Sequence, residues 1–136
     1  EYGMKSDETT DSLLTQLNIL GAELINHVIK DFETYYKNRI IQNEEKATFT
    51  KMMKKTDGYI DSTNPPAPEI VHRMIRAYHP WPGVWIQLRT QNKELRIKLL
   101  PGNRIQPEGK KPMSVKDFLN GYPEAKEFVE KSGLRN

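Results

Sequence analysis

The sequence predicts an α+β chain: a long amphipathic helix, an extended linker, then a small antiparallel sheet with short flanking helices. Three patterns predict it. Apolar residues recur every three or four positions from Leu13 to Val28. Residues 84–89 and 95–99 alternate with period two, and prolines and glycines cluster between these blocks at 62–68 and 80–83.

The first helix is expected over residues 10–36. Leu13, Leu17, Leu20, Leu24 and Val28 form its stripe, and Leu14, Ile25, Ile29 and Phe32 widen it. Thr9, Thr10 or Asp11 can accept from the open N–H groups of the first turn, while Gly21 and Ala22 let another backbone approach in mid-helix. So wide a stripe needs an apolar partner, a larger body or a second copy of the helix. Residues 42–61 are polar and read as an extended linker, with Ala47, Phe49, Met52, Met53, Tyr59 and Ile60 as the anchors available and a turn at Asp57 and Gly58. Three prolines in residues 62–68 end it stiffly.

Pro68 suits the first turn of a short helix reaching about Tyr78, with Ile70, Met74 and Tyr78 on one side and His72, Arg73 and Arg76 on its flanks. Pro80 stops that helix. A hinge follows, made of Trp81, Pro82, Gly83 and Trp85. Pro82 and Gly83 suit the central positions of a type II turn, with the tryptophans packing around the corner. Next comes a hairpin. Val84, Ile86 and Leu88 face one side, Trp85, Gln87 and Arg89 the other; after a turn at Gln91 and Asn92, Leu95, Ile97 and Leu99 repeat the pattern opposite Arg96 and Lys98. Residues 104–106 can add a third strand. Ser114 and Asp117 have capping-box spacing for a helix that Gly121 ends, and residues 123–131 form another, closed by Gly133.

With 136 residues, 36% hydrophobic and 29% charged, the chain is the size of one ordinary domain or two small units. No apolar run nears the roughly 18–20 residues that cross a bilayer, and residues 1–5 lack the apolar stretch of a signal peptide. The expected location is therefore the cytoplasm or an organelle matrix, with no membrane partner. Zero cysteines exclude disulfides and thiolate metal sites, and His27, His72 and His79 stand far apart without carboxylates at ligand spacing, so no metal site is expected. Residues 1–62 hold 8 Lys and Arg against 11 Asp and Glu, whereas residues 63–136 hold 13 against 7. The basic second half points to a polyanion partner or to lysines that simply solvate a small domain.

No Ser, His and Asp grouping, glycine-rich phosphate loop or working carboxylate pair stands out, and Glu44 and Glu45 fall in the linker. No catalytic residue is assigned, and the chain alone is not expected to catalyse. Its residues leave open an RNA-engaging tail, a tail serving another enzyme, or a structural oligomerisation module that self-associates through the N-terminal helix.

The stretch "IRAYHPWPGVW", residues 75–85, resembles the segment leading into the C-terminal domain of methionyl-tRNA formyltransferases. Three further segments agree in order. Residues 10–24 resemble the last helix of that family's catalytic domain. Gln42, Ala47, Thr48, Phe49, Lys51 and residues 58–61 resemble its linker, and "IQPEGKKPMSVKDFLNG", residues 105–121, resembles its C-terminal signature. The resemblance implies a division at 1–41, 42–67 and 68–136, the last an abbreviated OB-like antiparallel barrel or open sheet, because only residues 101–105 fill the place of several family strands. It implies a complete enzyme that uses 10-formyltetrahydrofolate as co-substrate, with no cofactor in this chain, and formylates methionyl initiator tRNA. Its partners would be that tRNA and a formyltransferase catalytic domain. Sugar-nucleotide formyltransferases use related Trp-Pro-Gly turns, so a tail of such an enzyme is the alternative.

The family's catalytic histidine is not carried onto His79, which Pro80 and Trp81 follow. If the second half holds tRNA, then Arg73 and Arg76 on the short helix, Arg89, Arg96 and Lys98 on the hairpin, and Arg104, Lys110 and Lys111 near the signature are expected to form one connected basic surface. Such a surface would contact phosphates rather than bases.

Overall fold

The computed structural model describes residues 2–90 and 94–135. Helix α1 spans Thr10–Lys30. Thr9 caps it in a reciprocal box: its hydroxyl accepts the Ser12 N–H at 3.2 Å, and the Ser12 hydroxyl accepts the Thr9 N–H at 3.0 Å. The helix stops short of the expected Tyr36. Asp31, a residue whose short polar side chain competes with helical bonding, leaves helical geometry at φ −138° and ψ 51°. A separate turn, α2, then runs over Phe32–Lys37, where Phe32 and Tyr36 stack at 5.7 Å. No residue of α1 is buried: Leu13 and Val28 are half-covered and Leu17, Leu20 and Leu24 are exposed. One tie, from the Thr10 hydroxyl to the Ala77 carbonyl at 2.5 Å, joins its start to the rest of the fold.

The linker docks on the sheet through residues 55–62. Phe49 and Met52, expected as anchors, are 94% and 91% exposed. The working anchors are Ile60, which is buried, and Tyr59, whose ring meets Trp85 at 4.7 Å. After the tight turn Lys55–Gly58, Tyr59 bridges Trp85 in parallel, the Ile60 N–H donates to the Trp85 carbonyl at 2.9 Å, and the Ser62 hydroxyl donates to the Gln87 carbonyl at 3.0 Å. The chain therefore runs alongside β1 before it turns into α3.

Helix α3, Pro68–Ala77, buries Val71 and Ile75, not the expected face through Ile70. At 3.6 residues per turn, Val71, Ile75, Met74 and Tyr78 share one side, while Ile70 lies about 100° away from Val71 and is 37% exposed. The hinge also differs from expectation. Gly83 takes the positive φ of 73° required of it, but its N–H closes back on the Tyr78 carbonyl at 2.8 Å. With Pro80 and Pro82 lacking donors, a wider loop replaces the two-residue type II turn. The His79–Pro80 and Trp81–Pro82 peptide bonds are both cis.

Strands β1 (Val84–Arg89), β2 (Glu94–Leu100), β3 (Arg104–Pro107) and β4 (Met113–Ser114) follow in an open antiparallel meander of that order. The turn expected at Gln91 and Asn92 lies outside the described residues. Val84 pairs with Leu99, Ile86 with Ile97, and Leu88 with Leu95, so the predicted apolar side is the core side throughout. Ile105 of β3 continues that side opposite Leu99. Ser114 accepts the Asp117 N–H at 3.1 Å and starts α4, Val115–Gly121. A 3₁₀ turn at Pro123–Ala125 leads into α5, Lys126–Lys131. Phe118 and Phe128 close the core, and the Gly133 carbonyl lies 3.2 Å from His72 Nε2, which ties the C-terminal segment to α3.

Candidate functional site

Period-two alternation that buries Ile86, Ile97 and Ile105 must turn Trp85, Arg96, Lys98, Arg104 and Gln106 outward. Register then makes them neighbours: Trp85 is opposite Lys98, Lys98 opposite Gln106, and Leu100 opposite Arg104. The outer face of the meander is thus a platform with cations at its centre.

A groove of about 380 Å³ opens where this face meets the hinge. Trp81, Trp85, Lys55, Arg96, Lys98 and Gln106 line it together with hinge residues, and among the described residues no carboxylate does. It adjoins a second depression of about 220 Å³ that shares Arg96, Lys98 and Gln106 and reaches Glu108 and Gly109. Trp85 is held on several sides: Tyr59 tilts against it, the Arg96 guanidinium lies 4.5 Å from its ring centroid, and its Nε1–H donates to the Lys55 carbonyl at 3.2 Å. By contrast, Trp81 is 56% exposed and has no ring partner among the described residues.

The other predicted cations fall into different settings. Arg89 is engaged with Glu94 at 2.9 Å, so much of its charge is balanced locally. Arg104 sits on the same face as Lys98, its guanidinium donating to the Pro112 carbonyl at 2.8 Å. Lys110 stands over the Tyr122 ring at 5.3 Å. Arg76 donates to the His72 carbonyl at 3.3 Å and lines a separate depression with Asp7 and Asn103. Arg73 and Lys111 are exposed and belong to the lining of neither groove depression. The structure thus places Arg96, Lys98 and Arg104 on one face of the sheet, and of the eight cations Arg96 and Lys98 line the groove and its neighbouring depression.

Two members were not anticipated. Lys55 reaches the groove because the linker turn docks under the hinge, a contact spanning some thirty positions of chain. Gln106 arrives through β3 pairing, and its amide donates to the Lys110 carbonyl at 2.9 Å, which steadies the 108–110 turn beside the second depression. Near the docked linker, Asp61 accepts from the Thr63 N–H and hydroxyl at 2.9 and 2.8 Å, and these bonds hold its carboxyl below the usual value. Among the described residues no cluster of three metal-ligating side chains occurs, and no helix is long and apolar enough to cross a membrane.

Residues 52–103, which hold the linker turn, the hinge and the hairpin, match the family described as formyl transferase, C-terminal domain. This stretch is similar to formyl transferase C-terminal domains. The chain as a whole is similar to methionyl-tRNA formyltransferases. One from Treponema denticola is 31% identical over 91% of this chain and 49% of its own length. Another from Koribacter versatilis is 34% identical over 90% of this chain and 47% of its own, and one from Idiomarina loihiensis is 40% identical over 60% and 25%. The chain therefore spans about half the length, or less, of these curated relatives. The Treponema and Koribacter alignments run over 159 and 149 positions, more than the 136 residues available, so those relatives carry stretches with no counterpart here. The sheet here is an open four-stranded meander.

Proposed function

We propose that this chain is the tRNA-engaging C-terminal portion of a methionyl-tRNA formyltransferase, the complete enzyme moving a formyl group from 10-formyltetrahydrofolate to the amino group of methionyl initiator tRNA. In this reading residues 1–41 belong to the end of the catalytic domain, 42–67 to the linker and 68–136 to the C-terminal domain. The methionyl amine must lose a proton as it attacks the formyl carbon, and the tetrahedral oxyanion needs a donor. Those tasks fall to the rest of the enzyme. This portion supplies position: it holds the body of the RNA so that the acceptor end reaches a distant pocket.

The observation that carries the reading is the outer sheet face, which Arg96, Lys98 and Arg104 share, with no carboxylate lining the adjoining groove among the described residues. Arg73, Arg76, Lys110 and Lys111 extend the positive field as separate contacts, and Arg89, balanced by Glu94, contributes least. Phosphate contacts carry no base information, so binding by this portion is weak, similar for different tRNAs and steeply salt-dependent.

Titration of labelled tRNA at several salt concentrations tests this, comparing the parent chain with an Arg96→Ala, Lys98→Ala double variant. The variant binds more weakly, and the slope of log affinity against log salt falls by about 0.9 for each phosphate contact removed. Equal affinities and slopes would take the hairpin out of the RNA site. Absence of binding even at low salt would favour a structural module, the reading that the exposed stripe of α1 supports.

A further inference from the structure

We infer that the groove between the hinge and the outer sheet face holds one unpaired nucleotide, its base stacked on Trp81 and its phosphate on Lys98 and Lys55. The inference rests on the RNA-binding reading above and adds to it a subsite for single-stranded RNA. Four observations meet there. Trp81 offers a large aromatic side chain that is 56% exposed at the lip of the groove, while the other tryptophan, Trp85, is already occupied by Tyr59 and Arg96. Exposing an indole costs free energy that a stacked base recovers, and stacking is indifferent to which base it is. Second, the groove volume of about 380 Å³ lies at the small end of the roughly 300–1,000 Å³ range of ligand sites, which suits a single nucleotide and not a duplex.

Third, the charge is placed for a phosphate. Lys98 and Lys55 line the groove, and among the described residues neither has an ion-pair partner and no carboxylate shares that lining. Arg96, fixed over Trp85, adds a third cation whose position is set before any ligand arrives. Fourth, the groove continues past Arg96, Lys98 and Gln106 into the second depression, so the strand on one side of the bound nucleotide has a path to follow; among the described residues Glu108 is the one carboxylate that lines it. Aromatic stacking beside a basic track is the chemistry that binds single strands, whereas a paired helix hides its base faces.

The chain's two tryptophans, Trp81 and Trp85, both line the groove, so intrinsic fluorescence reads the site directly. The experiment titrates the full chain at low salt with a four-nucleotide oligoadenylate and with a blunt RNA duplex, and measures both fluorescence and affinity. The expected result is quenching by the single strand and little change in emission with the duplex. Trp81→Leu should weaken single-strand binding roughly five- to 150-fold, the range that loss of one stacked aromatic brings. Trp81→Phe should restore most of it, which a role in hinge folding alone would not predict if circular dichroism shows both variants folded. Lys98→Ala should weaken both ligands. The inference is overturned if Trp81→Leu binds the single strand as the parent does, or if single strand and duplex quench alike. A chain whose Lys98→Ala variant loses tRNA affinity while Trp81→Leu keeps it would retain the phosphate surface and lose the nucleotide subsite. If the parent binds no RNA, both readings fail.

Discussion

A single methyl group added at Gly58 should undo the docking of the linker. An ideal Cβ built there would stand 1.8 Å from the Gly83 carbonyl oxygen and 3.0 Å from its carbon, both backbone atoms that no rotamer change can move. Reaching even 3.0 Å, the limit below which such contacts essentially never occur, needs the two segments to part by about 1.2 Å. That displacement falls on the neighbouring Ile60 N–H bond to the Trp85 carbonyl, now 2.9 Å, and on Ile60 itself, now 2% exposed. A lost hydrogen bond costs about 0.5–1.5 kcal/mol and exposure of an isoleucine about 1.5–3, so Gly58→Ala should destabilise by about 2–4 kcal/mol. With a urea slope of about 2 kcal/mol per molar, the middle of the usual range, the unfolding midpoint should drop by roughly 1–2 M, followed through the emission of Trp81 and Trp85. Gly121→Ala is the control, because a Cβ there meets nothing within 4 Å. A Gly58→Ala midpoint equal to that of the parent would refute the close approach of linker and hinge.

Three other outcomes follow from particular residues. Gly83→Val should destabilise by about 1–2 kcal/mol through the backbone alone, since φ is 73° while the nearest atom to a new Cβ is 3.7 Å away; unchanged thermal melting would contradict the positive angle. The exposed α1 stripe should drive concentration-dependent association in sedimentation equilibrium, abolished in a Leu17→Glu, Leu24→Glu variant; a parent that stays monomeric with protected α1 amides would count against it. Asp61 has a folded pKa below its ordinary 3.8, so its contribution to stability is complete above that value and is lost as pH falls through the lower folded value. Asp61→Asn should therefore show a shallower loss of stability below about pH 4 than the parent, and identical acid limbs would remove the Thr63 bonds as its cause.

Local signals were legible and long-range ones were not. The faces of β1 and β2, the Thr9 and Ser114 caps, the positive φ at Gly83 and the start of α3 at Pro68 depend on neighbours within a few positions, where side-chain period and backbone preference act directly. The break at Asp31 and the one-position rotation of α3 toward Val71 and Ile75 are small energetic choices that packing decides. Strand β4 has two residues, too few to show a period. Of the candidate site, Arg96 and Lys98 follow from alternation, whereas the hinge motif marks Trp81 and Trp85 as structural corner residues and not as groove lining. Lys55 and Gln106 enter through contacts made across the fold, and the pairing of Arg89 with Glu94 removed a cation that composition alone had counted as available.

The linker turn deserves a role in the site as well as in the fold, because Lys55 acts at both ends of its residue. Its carbonyl accepts the Trp85 indole N–H, and the residue is among those lining the groove that Trp85 helps to form. Gly58, three positions on, is the point where the same turn passes against the hinge at Gly83. Docking the linker therefore sets the tryptophan, adds a cation and fixes the hinge in one step. The groove and the linker are coupled by these contacts, so a change that frees the turn should weaken RNA binding without touching Arg96 or Lys98. Gly58→Ala supplies that change: in urea-free buffer, with the sheet still folded, it should lower tRNA affinity as well as stability. An affinity equal to that of the parent would separate the groove from the linker and leave Lys55 a bystander.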